Sequence, residues 1–129
     1  MGTSGSLRGC VTGLRKHNPK LNVTAVEPST SAVISGGAPG PHRIEGIGIG
    51  RLVPHWSPSL ADHVEAVSTE DAEAMARRPA KEEAIFAGTS SGANVVAAIR
   101  AAKRLGEGKT LVTLIVDTGL KYISTELYR

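Results

Sequence analysis

Two stretches of this chain group glycine with hydroxyl side chains just ahead of an expected helix: Gly2-Thr3-Ser4-Gly5-Ser6 and Gly88-Thr89-Ser90-Ser91-Gly92. Such a loop turns backbone N–H groups and hydroxyls toward one point, and the helix behind it adds a partial positive charge there. Phosphate is the ligand that chemistry suits. Gly2–Ser6 lacks the Gly-Lys-Ser/Thr ending of a P-loop, and no third glycine and downstream acid complete a dinucleotide fingerprint. Taken alone it reads equally as an anion cradle or as a loose terminal stretch. In the second loop, Ser90 or Ser91 serves either as a helix cap or as a ligand contact. A nucleophilic serine is disfavoured, because the pattern is not Gly-x-Ser-x-Gly and no histidine falls in a triad position. Asp117-Thr118-Gly119 forms a third polar loop. Gly46, Gly48 and Gly50 alternate through a fourth segment, read as extended with one side bare of side chains, that admits close approach of a ligand or backbone, or else forms a mobile lid.

Other chemistries are poorly supported. Cys10 is the single cysteine, so neither an internal disulfide nor a cysteine metal cluster is available. His17, His42, His55 and His63 have no zinc-type spacing. The net charge of +3 is scattered over candidate helices and mixed with acids, which describes solvated helix faces. With four aromatics and no basic stripe, nucleic-acid binding is not expected. No apolar run has membrane-spanning length and no signal peptide opens the chain, so a cytoplasmic protein is expected.

The elements that position these loops follow from periodicity. Leu7, Cys10, Val11 and Leu14 give one apolar face to a helix over residues 4–17, capped by Ser4 or Ser6 and stopped by Asn18-Pro19. Alternation predicts a strand over 21–27 and a short one over 63–67. Ser68 and Asp71 form a capping-box-like start for a helix to about Ala84, burying Ala72, Met75 and Ala76, with Pro79 expected to kink it. Residues 85–87 read as a short buried strand, 93–105 as a helix stopped by Gly106, and 110–116 as a buried parallel strand. Residues 121–129 read as a polar tail. The β-α-β-α-β order of the second half predicts an α/β fold with a mostly parallel sheet. Ligands of such sheets bind at the carboxyl ends of strands, where the three polar loops can meet.

Six blocks, in order, resemble one family. They are Gly2-Thr3-Ser4-Gly5-Ser6-Leu7-Arg8-Gly9; Asn18-Pro19 with Val26-Glu27-Pro28-Ser29; Ser35-Gly36-Gly37 with Pro39-Gly40-Pro41-His42; Ile44-Glu45-Gly46-Ile47-Gly48; Gly88-Thr89-Ser90-Ser91-Gly92-Ala93; and Tyr122-Ile123-Ser124-Thr125. Together they are similar to cysteine synthase (O-acetylserine sulfhydrylase), in the pyridoxal-phosphate family that includes cystathionine β-synthase. The resemblance implies the C-terminal part of a tryptophan-synthase-β-like fold, a partial three-layer sandwich. It implies pyridoxal 5′-phosphate as cofactor, with Gly2, Thr3, Ser4, Gly5 and Ser6 on its phosphate and Ser90 at the ring nitrogen. It places Gly46, Ile47 and Gly48 in a substrate-side segment that moves on closure, and Asp117–Gly119 at the cleft, with Thr118 where the family has serine. The family reaction converts O-acetylserine and sulfide to cysteine; serine or threonine dehydration and cystathionine synthesis are sister activities.

Departures from the family qualify that expectation. Its cofactor-bearing lysine, the asparagine beside the ring oxygen and the substrate-carboxylate loop lie upstream of the phosphate loop. None of Lys16, Lys20, Lys81, Lys103, Lys109 and Lys121 matches that lysine. The resemblance therefore predicts that residues 1–129 form a C-terminal portion, inactive by itself, acting with a complementary N-terminal half or as a homodimer. The alternative is a phosphate- or cofactor-binding module without catalysis. Pro79 stands where the family has an apolar helix residue, and Ala84 where it has a helix-ending glycine.

Overall fold

A computed structural model describes all residues 1–129. Helix α1 (Gly5–Arg15) is followed by strand β1 (Thr24–Pro28), a long irregular stretch, strand β2 (His63–Val67), helix α2 (Thr69–Glu82) and helix α3 (Thr89–Leu105). Single 3-10 turns occur at Ser29–Ser31, Pro58–Leu60 and Gly119–Tyr122. β1 and β2 pair in parallel, with Thr24 opposite His63 and Pro28 opposite Val67. The α/β class and the parallel pairing agree with the sequence reading.

The helices form where capping and periodicity place them. Ser68 Oγ accepts from Asp71 N at 3.0 Å and starts α2. Gly106, at φ 78°, ends α3. α3 packs on both strands and, most extensively, on α2. That contact is close because Gly92 has no side chain: a Cβ there would lie 2.0 Å from Ala72 O. The core is Ile44, Val67, Ala72, Ala93, Val96 and Ala97. Ile44, fully enclosed, contributes about 1.5–3 kcal/mol by leaving water. Arg43 N donates to Thr69 Oγ1 and Glu45 N to Thr89 Oγ1, so Ile44 is pinned between the first turns of α2 and α3.

Four expectations need correction. Residues 110–116 form no strand: no backbone–backbone hydrogen bond reaches them. Apolar content marked the segment as buried, but pairing needs a neighbouring strand, and β1 and β2 lie elsewhere. Residues 85–87 likewise reduce to one antiparallel bridge between Ala87 and Thr118, with Ile85 and Phe86 exposed. The glycine segment 46–50 is not extended; Gly46, Gly48 and Gly50 all have positive φ and turn the chain repeatedly. The supposed polar tail is docked, with Tyr122 and Leu127 buried beside Ala76. Smaller shifts are the strand start, at Thr24 rather than Leu21, and the α3 start, four residues before Ala93.

Candidate functional site

The Gly2–Ser6 loop sits where the chain enters α1. Ser4 is the N-cap residue with φ 65°, and its side chain makes no capping bond, unlike the expected cap. It is buried and its hydroxyl turns inward to the Met1 sulfur. The first intrahelical bond is Arg8 N to Ser4 O at 2.9 Å. The N–H groups of Ser6 and Leu7 therefore have no acceptor in the chain, and Gly5 N has only Thr3 Oγ1 at 3.5 Å. Thr3, Gly5 and Ser6 are exposed. The outcome is a set of outward-facing donors at the positive end of an 11-residue helix.

The Gly46–Gly48 segment lies against the same loop. Gly48 N donates to Met1 O at 3.2 Å, and a Cβ on Gly2 would lie 2.4 Å from Gly46 O. Only glycine fits at position 2 without displacing the segment. His42 Nε2 lies 2.9 Å from Gly48 O while its Nδ1 accepts from Ile44 N, which fixes the turn from both ring nitrogens. Ile47 packs against the core beneath. Met1 N donates to Val26 O. Glu27 is enclosed and accepts from Ile34 N, Ser35 N and Ser35 Oγ, tying the following loop to the end of β1.

Ser90 stands in the first turn of α3, next to Thr89, whose hydroxyl holds Glu45 N at 3.1 Å. Ser90 is 4% exposed and its hydroxyl takes no partner from the chain. Ser91 is occupied instead, accepting from Val116 N at 2.9 Å. The two serines therefore differ: Ser91 Oγ is engaged by Val116 N, and Ser90 Oγ is engaged by no group of the chain. The third polar loop meets the same helix end, since Asp117 Oδ1 accepts from Gly88 N at 3.2 Å. Tyr122, outside the expected site, donates to Asp117 Oδ2 at 2.8 Å. Its place in the Tyr-Ile-Ser-Thr block was the one sequence signal for it. All six lysines are exposed; Lys121 Nζ, 3.7 Å from Asp117 Oδ2, is paired there.

These residues suit an anionic aromatic cofactor: unpaired N–H groups and hydroxyls for a phosphate, a cradle that a Cβ would block, and, on the largely buried Ser90, a hydroxyl that no group of the chain engages. Comparison with known proteins agrees. Residues 1–117 match the model of the family described as "Pyridoxal-phosphate dependent enzyme". The chain belongs to that family. It is 45% identical over 128 residues to a cysteine synthase of Staphylococcus aureus, covering 99% of this chain and 41% of that protein. The O-acetyl serine sulfhydrylase isoform 3 of Entamoeba histolytica superposes with a TM-score of 0.95 at 41% identity, over 99% of this chain and 38% of that one. The O-acetylserine dependent cystathionine β-synthase of Helicobacter pylori gives 0.91 at 34% identity, over 100% of this chain and 42% of that one. The chain is therefore cysteine-synthase-like and spans about two fifths of such relatives. No helix is long and apolar enough to cross a membrane.

Proposed function

We propose that residues 1–129 supply the phosphate cup and ring-nitrogen contact of a cysteine-synthase-like β-replacement enzyme, which makes cysteine from O-acetylserine and sulfide. The observation that carries this reading is one linkage: Gly2 lies against Gly46, and Glu45 is held by Thr89, the neighbour of Ser90. Pyridoxal phosphate, when bound, supplies an electron-withdrawing ring that eases loss of a substituent from an amino acid's β-carbon. The backbone donors of Gly5, Ser6 and Leu7 and the hydroxyls of Thr3 and Ser6 would hold its phosphate, with Gly2 allowing close approach and Ser4 contributing the bend. Ser90 would offer a neutral hydroxyl to the ring nitrogen, which leaves that nitrogen unprotonated. Gly46–Gly48 would border the amino-acid substrate. No lysine in the chain matches the family's cofactor-bearing position, so nothing present supplies its proton shuttle.

The test is a titration of the 129-residue polypeptide with pyridoxal phosphate, read by quenching of Trp56, its single tryptophan. Saturable binding is expected, competed by inorganic phosphate and weakened about tenfold by Ser6→Ala, which removes one charge-assisted hydrogen bond. Cysteine formation from O-acetylserine and sulfide is expected to be absent. Lack of saturable binding, or turnover by this polypeptide, overturns the reading. A second reading is favoured by the exposed apolar residues Val112, Leu114 and Val116. In it the chain acts as a cofactor-binding unit that pairs with a polypeptide supplying the rest of the fold.

A further inference from the structure

The segment after α3 is organised around the start of that helix rather than around the sheet. Val116 N donates to Ser91 Oγ, Gly88 N to Asp117 Oδ1, and Tyr122 OH to Asp117 Oδ2. Gly119 N donates to Phe86 O at 2.9 Å, and Tyr128 OH bonds the carbonyls of Ala76 and Ala87. Apart from the bond to Ala76 O, these contacts converge on Phe86–Ser91. Gly88 is the α3 N-cap, and a Cβ there would lie 2.3 Å from Tyr122 Cε2 and 2.5 Å from Asp117 Oδ1. The aromatic ring and the carboxylate therefore press directly on the backbone two residues before Ser90.

We infer that Asp117 and Tyr122 form a positioning pair that fixes the first turn of α3 and thereby aims the Ser90 hydroxyl at the cofactor ring. Glycine-capped helix starts have no side-chain cap of their own, and α3 has none. Asp117 takes the N–H of the cap residue Gly88 itself with one oxygen, the bond that an acid in the first turn makes in a capping box. Its other oxygen is held by the buried Tyr122 phenol, so the carboxylate cannot rotate away. Lys121, two-thirds exposed and 3.7 Å distant, is a weaker restraint on the same oxygen. Neither residue lies in the phosphate cup, so the pair acts on ring contact alone.

This inference rests on the proposed cofactor reading, and its test separates the two. Tyr122→Phe and Asp117→Asn are prepared in the 129-residue protein, and two measurements follow. Amide hydrogen exchange without cofactor is expected to quicken about tenfold at Gly88–Ser91 in Tyr122→Phe, with α1 amides unchanged. Pyridoxal phosphate binding is expected to weaken about tenfold while inorganic phosphate affinity stays within about twofold. In a Ser90→Ala background Tyr122→Phe is expected to add less than about twofold to the pyridoxal phosphate loss. Unchanged exchange at Gly88–Ser91 overturns the pair's role. Equal weakening of both ligands, or an undiminished effect in Ser90→Ala, overturns the aim at the ring. If the unsubstituted protein binds no pyridoxal phosphate, the proposed function and the aim at the ring both fall, and hydrogen exchange still decides whether the pair fixes the helix start.

Discussion

Tyr122 and Tyr128 are the only phenols in the chain, and burial is the main force raising both above the ordinary value near 10. For Tyr122 the hydrogen bond to Asp117 and the charge of that carboxylate add to the shift. In the unfolded chain a tyrosine releases its proton near pH 10, so above that pH the folded state holds more protons than the unfolded state. The contribution is therefore fully present below about pH 10 and is lost as pH rises toward the folded values. Tyrosinate absorbance is expected to stay flat through the ordinary range and then rise together with loss of helix circular dichroism. A smooth titration centred near 10 in the folded protein would contradict the enclosed Tyr122–Asp117 pair. Gly92 is a second single-residue constraint. Gly92→Ala places a methyl against Ala72 O and Ala76 N, both rigid helix backbone, and should cost about 1–3 kcal/mol in urea unfolding. An unchanged midpoint would mean that the two helices separate freely.

The end of α2 shows what an element does when its sequence departs from the ideal. Pro79 lies inside the helix, yet the helix continues to Glu82. The carbonyl of Pro79 then accepts from both Glu83 N and Ile85 N, and Ala84 takes φ 56° between them. That is the glycine-type helix stop made with alanine, whose Cβ meets a carbonyl in the left-handed region. Ala84→Gly is expected to raise stability by about 1 kcal/mol, with the pyridoxal phosphate affinity unchanged; a loss of stability would show that the unfolded-chain entropy of glycine outweighs the relieved strain. This departure was legible only through the family resemblance, whereas α1, α2, β2 and the α3 core were legible because periodicity and the Ser68 cap are local signals. The two glycine-hydroxyl loops were legible as helix starts for the same reason, since they precede α1 and α3 directly. What escaped depended on distant partners. Residues 110–116 have the composition of a strand, but a strand requires a paired neighbour. Tyr122 and Leu127 look like isolated apolar residues in a polar tail until α2 is present to receive them. Glycine alternation in 46–50 was compatible with extension, and the turns became visible only with the Met1 and His42 contacts that hold them.

Seen whole, the molecule buries one side of its short sheet under α3 and leaves a large apolar area elsewhere. Val112 is 85% exposed, and Leu114, Val116, Leu120 and Ile123 are all more than half exposed. Val112, Leu114 and Val116 are all exposed, while Ile115 lines a small cavity with Ala76 and Val95. The backbone there is held only by side chains of α3: Asn94 Nδ2 donates to Leu114 O, and Val116 N donates to Ser91 Oγ. Free N–H and C=O groups beside exposed valine and leucine form an open edge that accepts another strand. A two-stranded parallel sheet adds little resistance of its own. The 129-residue polypeptide is therefore expected to self-associate as concentration rises and to brighten a hydrophobic dye, measured by sedimentation velocity and fluorescence. Val112→Lys with Leu114→Glu should disperse the assembly and quench the dye signal, since charge on an edge blocks strand addition. Both positions are exposed, so the unfolding free energy of the monomer should move by no more than about 0.5 kcal/mol. A monodisperse, dye-silent monomer before substitution would show that residues 110–116 are adequately covered by α3. It would also remove the reason for expecting a complementary polypeptide on that edge.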